Sequence, residues 1–266
     1  MGDGGLTREQ LERYDRNVRL AGVDEEGQRR LLASSALVVG AGGLGSAAIL
    51  YLAAAGVGRL AVADAGRLER SNLNRQVLHR TGDLGRAKID SARGAVQALN
   101  PDCRVETRGD RLTAANARRA VRGFDVALDC SDNFPTRLAL ADACWIERVP
   151  LVSGAVVRME GLLLTVLPAP GNPCYRCLVP AEPPAGEVPT AAESGILGAV
   201  AGMMGALEAV EALKLLLGLG RPLVDRLLVY DGAAATFRET RRVRDPGCPL
   251  CGDQPTITDA SMPNDA

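Results

Sequence analysis

Aromatic side chains are scarce in this chain of 266 residues, because Phe, Trp and Tyr together make up only 3% of it. The core must therefore be built mainly from aliphatic residues, which help to raise the hydrophobic fraction to 47%. Continuous aliphatic runs are typical of parallel strands covered by helices on both faces. The composition therefore favours an α/β fold.

Histidine is nearly absent, since His79 is the only one in the chain. Catalytic triads and metal sites that depend on histidine are therefore poorly supported. We expect His79 to be a structural hydrogen-bonding residue.

Neither sign of charge dominates, because 31 basic and 32 acidic residues leave a net charge of -1. A nucleic-acid partner is not expected without a basic surface. The most apolar stretch, Ile196–Leu207, is too short to span a membrane, which takes about 18 or more apolar residues. The N-terminus also lacks the pattern of a signal peptide. We expect a cytoplasmic protein with no membrane partner.

A glycine motif follows the first predicted strand, Ala36–Val39, and precedes a predicted helix over Ser46–Ala55. The motif reads Gly40-x-Gly42-x-x-Gly45. In such a motif the glycines make the turn, admit a phosphate and let the helix pack on the strand. The helix N-terminus then offers free N–H groups to an anion. The motif predicts a nucleotide site.

Asp64 ends the second predicted strand, Leu60–Asp64, about 20 residues after the glycine motif. A carboxylate at this position can accept hydrogen bonds from ribose hydroxyls. The motif alone does not separate NAD from ATP, so both nucleotides stay open on this pattern.

Polar side chains follow directly in the segment that contains Ser71, Asn72, Asn74 and Arg75. An ordinary surface loop has the same composition, but its position after the ribose carboxylate places it over the nucleotide. The Arg75 guanidinium suits a triphosphate, because it binds phosphate oxygens as a fork. Lys88 begins the next predicted helix and could reach a β- or γ-phosphate, although a lone lysine is more often solvated.

Asp132 and Asn133 follow a buried strand predicted over Phe124–Cys130. Ligands bind at the carboxyl ends of strands in open parallel sheets. A carboxylate beside a polyphosphate usually holds Mg²⁺. The alternative is a cap for the helix that begins near Pro135, so we assign Asp132 to the metal and Asn133 to the cap or to a ligand contact.

Two Cys-x-x-Cys pairs, Cys174/Cys177 and Cys248/Cys251, make a set of four thiolates. Two such pairs that meet in space form a tetrahedral four-cysteine zinc site with no open position for water, which is typical of a structural site. A redox role is less favoured, because neither pair opens a helix after a strand. A metal ion at this site would hold the C-terminal segment against the segment that contains Cys174 and Cys177. We expect one domain over 1–252 and a disordered tail over 253–266.

The remaining pattern is less regular. Thr7 begins a capping box and predicts a charged helix to about Leu20. After a strand at Leu151–Gly154 the strands become antiparallel in character, and the proline-containing segment 179–190 is expected to be a long loop. Small residues in a predicted helix over Gly195–Leu217 would permit close helix contact, either within the core or across a dimer interface. The other predicted elements are strands at Cys103–Thr107, Gly161–Leu167 and Leu227–Tyr230 and helices at Lys88–Leu99, Ala114–Val121 and Pro135–Arg148.

These motifs together resemble the MoeB/ThiF-type adenylyltransferases, which are bacterial relatives of ubiquitin-activating enzymes, and MoeB above all. The resemblance covers nearly everything from Glu9 to Gly252. Besides both cysteine pairs, it is carried by Arg13–Arg16, Gly40–Gly45, Ser71–Gln76, Asp129–Asn133, Leu151–Gly154 and Arg158–Gly161.

The resemblance implies a homodimer with an eight-stranded mixed sheet and ATP on the glycine motif, with Gly43 near the phosphates. It also implies that Arg16 enters the neighbouring subunit's active site. The partner would be a ubiquitin-like sulfur-carrier protein ending in Gly-Gly, as in molybdopterin or thiamin synthesis. Its carboxylate would attack the α-phosphate to give an acyl-adenylate and pyrophosphate, a reaction that needs charge neutralisation rather than a protein base.

Two positions depart from the family pattern. Ala191 stands where many relatives have a cysteine, so sulfur would have to come from another protein. Asn74 replaces a more usual glutamine. The alternatives are an NAD-dependent oxidoreductase, a nucleotide-binding scaffold without turnover, and adenylation of a different carboxylate, such as a peptide or a modified tRNA nucleoside.

Overall fold

The computed structural model of the chain describes residues 5–184, 186–187 and 191–259, without the side chains of residues 191 and 192. Within these ranges, eight strands form one sheet. In chain order they are β1 (Ser35–Val39), β2 (Arg59–Ala63), β3 (Arg104–Arg108), β4 (Val126–Asp129), β5 (Leu151–Val157), β6 (Glu160–Val166), β7 (Arg226–Asp231) and β8 (Thr236–Arg241).

Parallel pairing holds the first half of the sheet together. β1 lies between β2 and β4, β3 pairs with β2, and β5 pairs with β4, all in parallel. β6, β7 and β8 then add in antiparallel pairs. The resulting order, β3-β2-β1-β4-β5-β6-β7-β8, confirms the expected mixed sheet of eight strands with a Rossmann-like half.

Helices connect the parallel strands and cover the sheet. None of those in the described ranges combines the length and apolar character that crossing a bilayer requires. They are α1 (Arg8–Arg13), α2 (Asp15–Val18), α3 (Asp24–Ala33), α4 (Gly43–Ala55), α5 (Lys88–Leu99), α6 (Ala114–Val121), α7 (Phe134–Ile146), α8 (Ala191–Ser194) and α9 (Gly198–Leu217).

The core has a layer on each face of the sheet, because successive strand residues point to opposite faces. Val38 of β1 packs in the layer that contains α4, α5 and α9. Its neighbour Leu37 packs in the layer that contains α6 and α7. Both side chains are fully buried, so the aliphatic run of β1 is explained by two covered faces.

The longest helix, α9, crosses α4 at very short range. A Cβ on Gly205 of α9 would lie 2.0 Å from the Leu44 carbonyl oxygen, so only glycine allows this approach. A Cβ on Gly202 of the same helix would meet no described residue within 4 Å outside the adjacent turns of α9. Gly205 therefore permits a helix contact within the core. α9 begins at Gly198, three residues later than predicted.

The N-terminal helix differs from the prediction. The capping box at Thr7 is present, but α1 ends at Arg13 and a separate α2 follows. Tyr14 lies at the break and is buried, and its hydroxyl accepts a hydrogen bond from Asn100 at 2.9 Å. The chain turns at Tyr14 because this side chain packs inward.

The C-terminal segment beyond the second cysteine pair partly lies on the fold. Ile257 donates its N–H to the Pro249 carbonyl at 2.8 Å, and Asp259 pairs with Arg118 of α6 at 3.0 Å. The first part of the segment predicted as a tail, 253–266, is therefore attached to α6. Residues 260–266 lie outside the described residues.

Candidate nucleotide site

The predicted nucleotide-binding residues gather at the carboxyl ends of β1, β2 and β4. The glycine turn follows β1, Asp64 follows β2, and Asp132 and Asn133 follow β4. β1 is the strand at which the order of connections reverses, because it pairs with β2 on one side and β4 on the other. Ligands of open parallel sheets bind at this switch point.

The glycine turn is built so tightly that side chains are excluded. Gly40 has a φ of +100°, and a Cβ on it would lie 2.5 Å from the Cys130 carbonyl oxygen. A Cβ on Gly45 would lie 1.8 Å from the Gly40 carbonyl oxygen. These contacts bring β1, β4 and α4 together and fix where α4 begins.

The first turn of α4 is open to an anion. Gly42 is its N-cap residue and supplies no side-chain hydrogen bond, and acidic residues are absent from the first turn of this described helix. The free N–H groups carry the positive end of the helix dipole. This end of α4 fits a phosphate group.

Asp64 is tied to the glycine turn. Its carboxylate accepts the Ala41 N–H at 2.8 Å and the Gly66 N–H at 2.7 Å. Beside it lies a cavity of about 250 Å³, bordered by Ala63 and Leu112 among other residues.

The polar segment lies over the glycine turn. Arg75 packs beside Gly43, with its Cγ 3.6 Å from the position that a Cβ there would take. Three residues after Gln76, the His79 Nε2 lies 3.0 Å from the Ala41 carbonyl oxygen, and its Nδ1 lies 2.9 Å from the Ser91 hydroxyl. Burial lowers the pKa of His79, which fits the structural role predicted for this residue.

Two cations stand near the turn without an acidic partner among the described residues. Arg75 donates to the Ser71 carbonyl at 2.9 Å and to the Asn74 side-chain oxygen at 3.1 Å. Lys88 begins α5, and its Nζ lies 3.5 Å from the position of a Cβ on Gly66. Both cations are half-buried, so an anionic ligand would complete their surroundings.

Asp132 and Asn133 have the two different roles that their positions suggest. Asn133 caps α7 by accepting the Thr136 N–H at 3.0 Å. Asp132 is exposed, and among the described residues its carboxylate receives only a long contact of 3.4 Å from the Asn133 amide. Its oxygens therefore remain available to a cation.

A buried ion pair fixes the turn that carries these two residues. Arg137 lies 3.3 Å from Asp129 and donates to the carbonyls of Ser131, at 2.6 Å, and Gly154, at 2.8 Å. Burial alone would lower the pKa of Arg137, but the adjacent Asp129 carboxylate raises it. The guanidinium thus stays charged and joins the end of β4 to the middle of β5.

Arg16 is not brought to the rest of the site within one chain. Its side chain is 87% exposed and pairs with Asp15 at 3.4 Å. α2 lies at the far end of α4, because Asn17 donates to the Ala55 carbonyl at 3.3 Å. α4 has 13 residues, a length of about 20 Å. Arg16 therefore lies far from the glycine turn of its own chain.

The four cysteines of the two pairs meet in space. Their Sγ atoms all lie within 4.8 Å of one another, with 3.4 Å between Cys174 and Cys248 and 3.3 Å between Cys177 and Cys251. Zinc–sulfur bonds of about 2.3 Å in a tetrahedron separate sulfur atoms by about 3.8 Å. The spacing and the donor set fit a zinc ion.

Several buried polar residues beside the site were not predicted from the sequence. Asp129 was noted only as the first residue of the motif Asp129–Asn133. Glu208 was given no role, although it is a charged residue within an apolar helix. The Cys130 thiol lies 3.5 Å from the Glu208 carboxyl. Burial raises the pKa of Glu208 well above its usual value. An acid in the middle of an apolar stretch is the signal that could have marked this residue.

The strand order, the glycine turn and the open helix N-terminus define a nucleotide-binding α/β protein. A model of the ThiF family matches residues 14–250. The chain belongs to the ThiF family, which confirms the resemblance inferred from the motifs.

Similar proteins are named as adenylyltransferases. The chain is 48% identical over 254 residues to a sulfur carrier protein adenylyltransferase of Thermus thermophilus, with 94% of each chain covered. It is 47% identical over 255 residues to "Adenylyltransferase and sulfurtransferase MOCS3" of Drosophila yakuba, covering 96% of this chain but only 56% of that protein. These names support the expected class of enzyme and do not favour an NAD-dependent oxidoreductase.

A solved structure shares the fold. E. coli MccB with ATP superposes with a TM-score of 0.78 at 20% identity, covering 93% of this chain and 76% of that one. At this identity the likeness shows the fold alone.

Proposed function

We propose that this protein uses ATP to adenylate the C-terminal glycine carboxylate of a ubiquitin-like sulfur-carrier protein. The observation that carries the proposal is the uncapped first turn of α4, flanked by Asp64 and by two cations, Arg75 and Lys88, that lack an acidic partner among the described residues. The names of the similar adenylyltransferases support the same reaction.

Different residues of the site would bind different parts of the nucleotide. Asp64 would accept the ribose hydroxyls, and the glycine turn would bind the phosphates through the backbone at Gly42 and Gly43. Arg75 and Lys88 would neutralise the triphosphate. Further contacts to the nucleotide would come from Gly40, Gly45, Ser71, Asn72, Asn74 and Asn133.

The reaction needs positioning and charge rather than a protein base, because the attacking carboxylate is already an anion. A carboxylate oxygen bonds to the α-phosphorus as the bond from that phosphorus to the bridging oxygen breaks, and pyrophosphate leaves. Asp132 would hold Mg²⁺, which supplies positive charge to the phosphates when bound. Exposed oxygens on Asp132 support this assignment.

Arg16 would complete the active site of a second copy of the chain, so the proposed enzyme is a homodimer. The exposure of Arg16 and its distance from its own glycine turn support this role. A guanidinium from the partner would stabilise charge on the leaving pyrophosphate.

The cysteine cluster would bind structural zinc. Its four thiolates leave no open position for a substrate. The other cysteines, Cys103, Cys130 and Cys144, are buried free thiols, which suits a reducing, cytoplasmic compartment. With Ala191 in place of the family cysteine, the acyl-adenylate would receive sulfur from another protein.

ATP–pyrophosphate exchange against a panel of small carriers tests the proposal. Exchange should appear only with a carrier that ends in Gly-Gly, and removing its last glycine should abolish it. Asp132→Asn should lower exchange by about 100-fold or more, whereas Asp225→Asn, on an exposed side chain at the start of β7, should not. Exchange that is independent of every carrier, or tight binding of NAD in place of ATP, would contradict the proposal.

A further inference from the structure

Gln76 is a buried side chain beside the glycine turn that has an unpaired polar atom. Only 4% of the residue is exposed, and its Oε1 is buried without a hydrogen-bond partner in the described part of the chain. An unpaired buried acceptor destabilises a fold, so the stability of the fold does not account for a glutamine at this position.

The other polar atom of this carboxamide faces the glycine turn. Gln76 Nε2 lies 3.9 Å from the position that a Cβ on Gly42 would occupy, and apart from the chain neighbours of Gly42 no other described residue comes within 4 Å of that position. The space above Gly42 is therefore open and is bordered by an N–H donor. Gly42 is also the N-cap residue of α4, whose first turn has no side-chain cap.

The order of contacts along the turn indicates which phosphate would lie there. Asp64, the proposed ribose ligand, bonds to the N–H of Ala41. Gly42 is the next residue, and the first phosphate after the ribose is the α-phosphate. Arg75 lies one step further, against Gly43, where it would contact the later phosphates.

We propose that Gln76 is a catalytic residue whose Nε2 donates a hydrogen bond to a non-bridging oxygen of the α-phosphate. This inference rests on the proposed function, because it assumes ATP on the glycine turn. As the carboxylate–phosphorus bond forms and the bond to the pyrophosphate oxygen breaks, negative charge collects on the non-bridging oxygens. A donor fixed at this point stabilises that charge.

Gln76→Met separates this role from a structural one. The variant removes the unpaired Oε1, so its melting temperature should equal or exceed that of the unchanged protein. ATP affinity and the exchange rate should nevertheless fall by about 10-fold or more, because the variant loses a hydrogen bond to a charged group. Gln76→Glu keeps the shape but repels the phosphate, so it should bind ATP more weakly than Gln76→Met. Gln97→Met, on an exposed glutamine of α5, is the matched control and should change neither quantity.

A second experiment uses ATP in which sulfur replaces one non-bridging oxygen of the α-phosphate. The two diastereomers of this analogue differ in which oxygen is replaced, so they test a hydrogen bond to one particular oxygen. A donor to one oxygen should make the unchanged protein prefer one diastereomer in calorimetric binding, and Gln76→Met should reduce that preference several-fold. An unchanged preference, or a loss of stability in parallel with affinity, would overturn the inference. Because this arm measures binding alone, it still tests Gln76 if every Gly-Gly carrier fails to support exchange, a result that would overturn only the proposed function.

Discussion

Glu208 lies on the apolar helix α9 and is fully buried against the Cys130 thiol and Gly154. Burial is the main cause that raises its pKa, and the nearby Asp129 carboxylate raises it further. A carboxyl whose pKa is raised by folding stabilises the protein most below its unfolded pKa. That contribution is lost as the pH rises toward the folded pKa.

Glu208→Gln should therefore change the pH dependence of stability. The variant keeps a neutral side chain at all pH values, so its free energy of unfolding relative to the unchanged protein should increase as the pH rises above about 4.5. Each unit by which the pKa is raised contributes about 1.4 kcal/mol. Urea unfolding at pH 5 and pH 8, without nucleotide and at one protein concentration, measures the difference. Glu160→Gln, on an exposed strand residue, should show no such trend, and an equal difference at both pH values would contradict the prediction.

At the residue scale, the sequence motif was enough to predict a residue's role where that role depends only on local backbone geometry. Gly40 and Gly45 were predictable, because the motif specifies a turn that excludes a Cβ. The Asp129–Arg137 pair was not predictable, because Arg137 lies on a helix and its pairing with a strand residue depends on the tertiary fold. The nucleotide contacts of Asp64, Arg75, Lys88 and Asp132 remain predictions.

At the scale of elements, the contact between α4 and α9 depends on one glycine. Gly205→Ala would put a Cβ 2.0 Å from the Leu44 carbonyl oxygen. The clash is with backbone, so one of the two helices would have to shift. We expect a loss of about 3 kcal/mol in the free energy of unfolding.

Gly202→Ala is the matched control on the same helix. Its Cβ would lie more than 4 Å from every residue that the structure describes beyond the adjacent turns of α9, and alanine favours helix over glycine by about 1 kcal/mol. Chemical denaturation should therefore show opposite signs for the two variants. Equal destabilisation by both would show that helix propensity or an unseen contact, rather than the α4 approach, governs this helix.

Periodicity predicted the buried elements better than the exposed ones. β1, β2 and β4 are aliphatic and covered on both faces, so their sequences mark them. α3 and β8 were not predicted. β8 is exposed along its whole length and mixes charged residues with Thr and Phe, so it has no alternation of polar and apolar residues. Pairing with β7, rather than its own pattern, makes it a strand.

At the scale of the whole molecule, the cysteine cluster joins segments that are about 70 residues apart in the sequence. Cys248→Ser should abolish binding of one zinc ion and lower the free energy of unfolding by several kcal/mol, because metal binding is coupled to folding. Residues 253–259 should also become more sensitive to protease. Metal analysis and limited proteolysis measure both effects. Cys103→Ala, at a buried thiol outside the cluster, should retain the zinc, and full zinc content in Cys248→Ser would contradict the assignment.

The position of Arg16 predicts a complementation experiment. Arg16→Ala and Asp132→Ala should each be inactive alone. Mixed and exchanged in equal amounts, they should recover about a quarter of the exchange activity, because half of the dimers then have one intact site. A mixture of Arg75→Ala and Asp132→Ala should recover nothing, since both lesions affect the same chain's site. Recovery in neither mixture would contradict a site shared between subunits.

The strand order also determines when the nucleotide site can form while the chain is being translated. β1 pairs with β4, about 90 residues later in the chain, through partners such as Ala36 and Val126. The glycine turn is therefore translated long before Asp132, and β4 must leave the ribosome and insert beside β1 before the two ends meet. Nucleotide affinity would thus report completion of the central sheet in the nascent chain, rather than formation of the first βαβ unit.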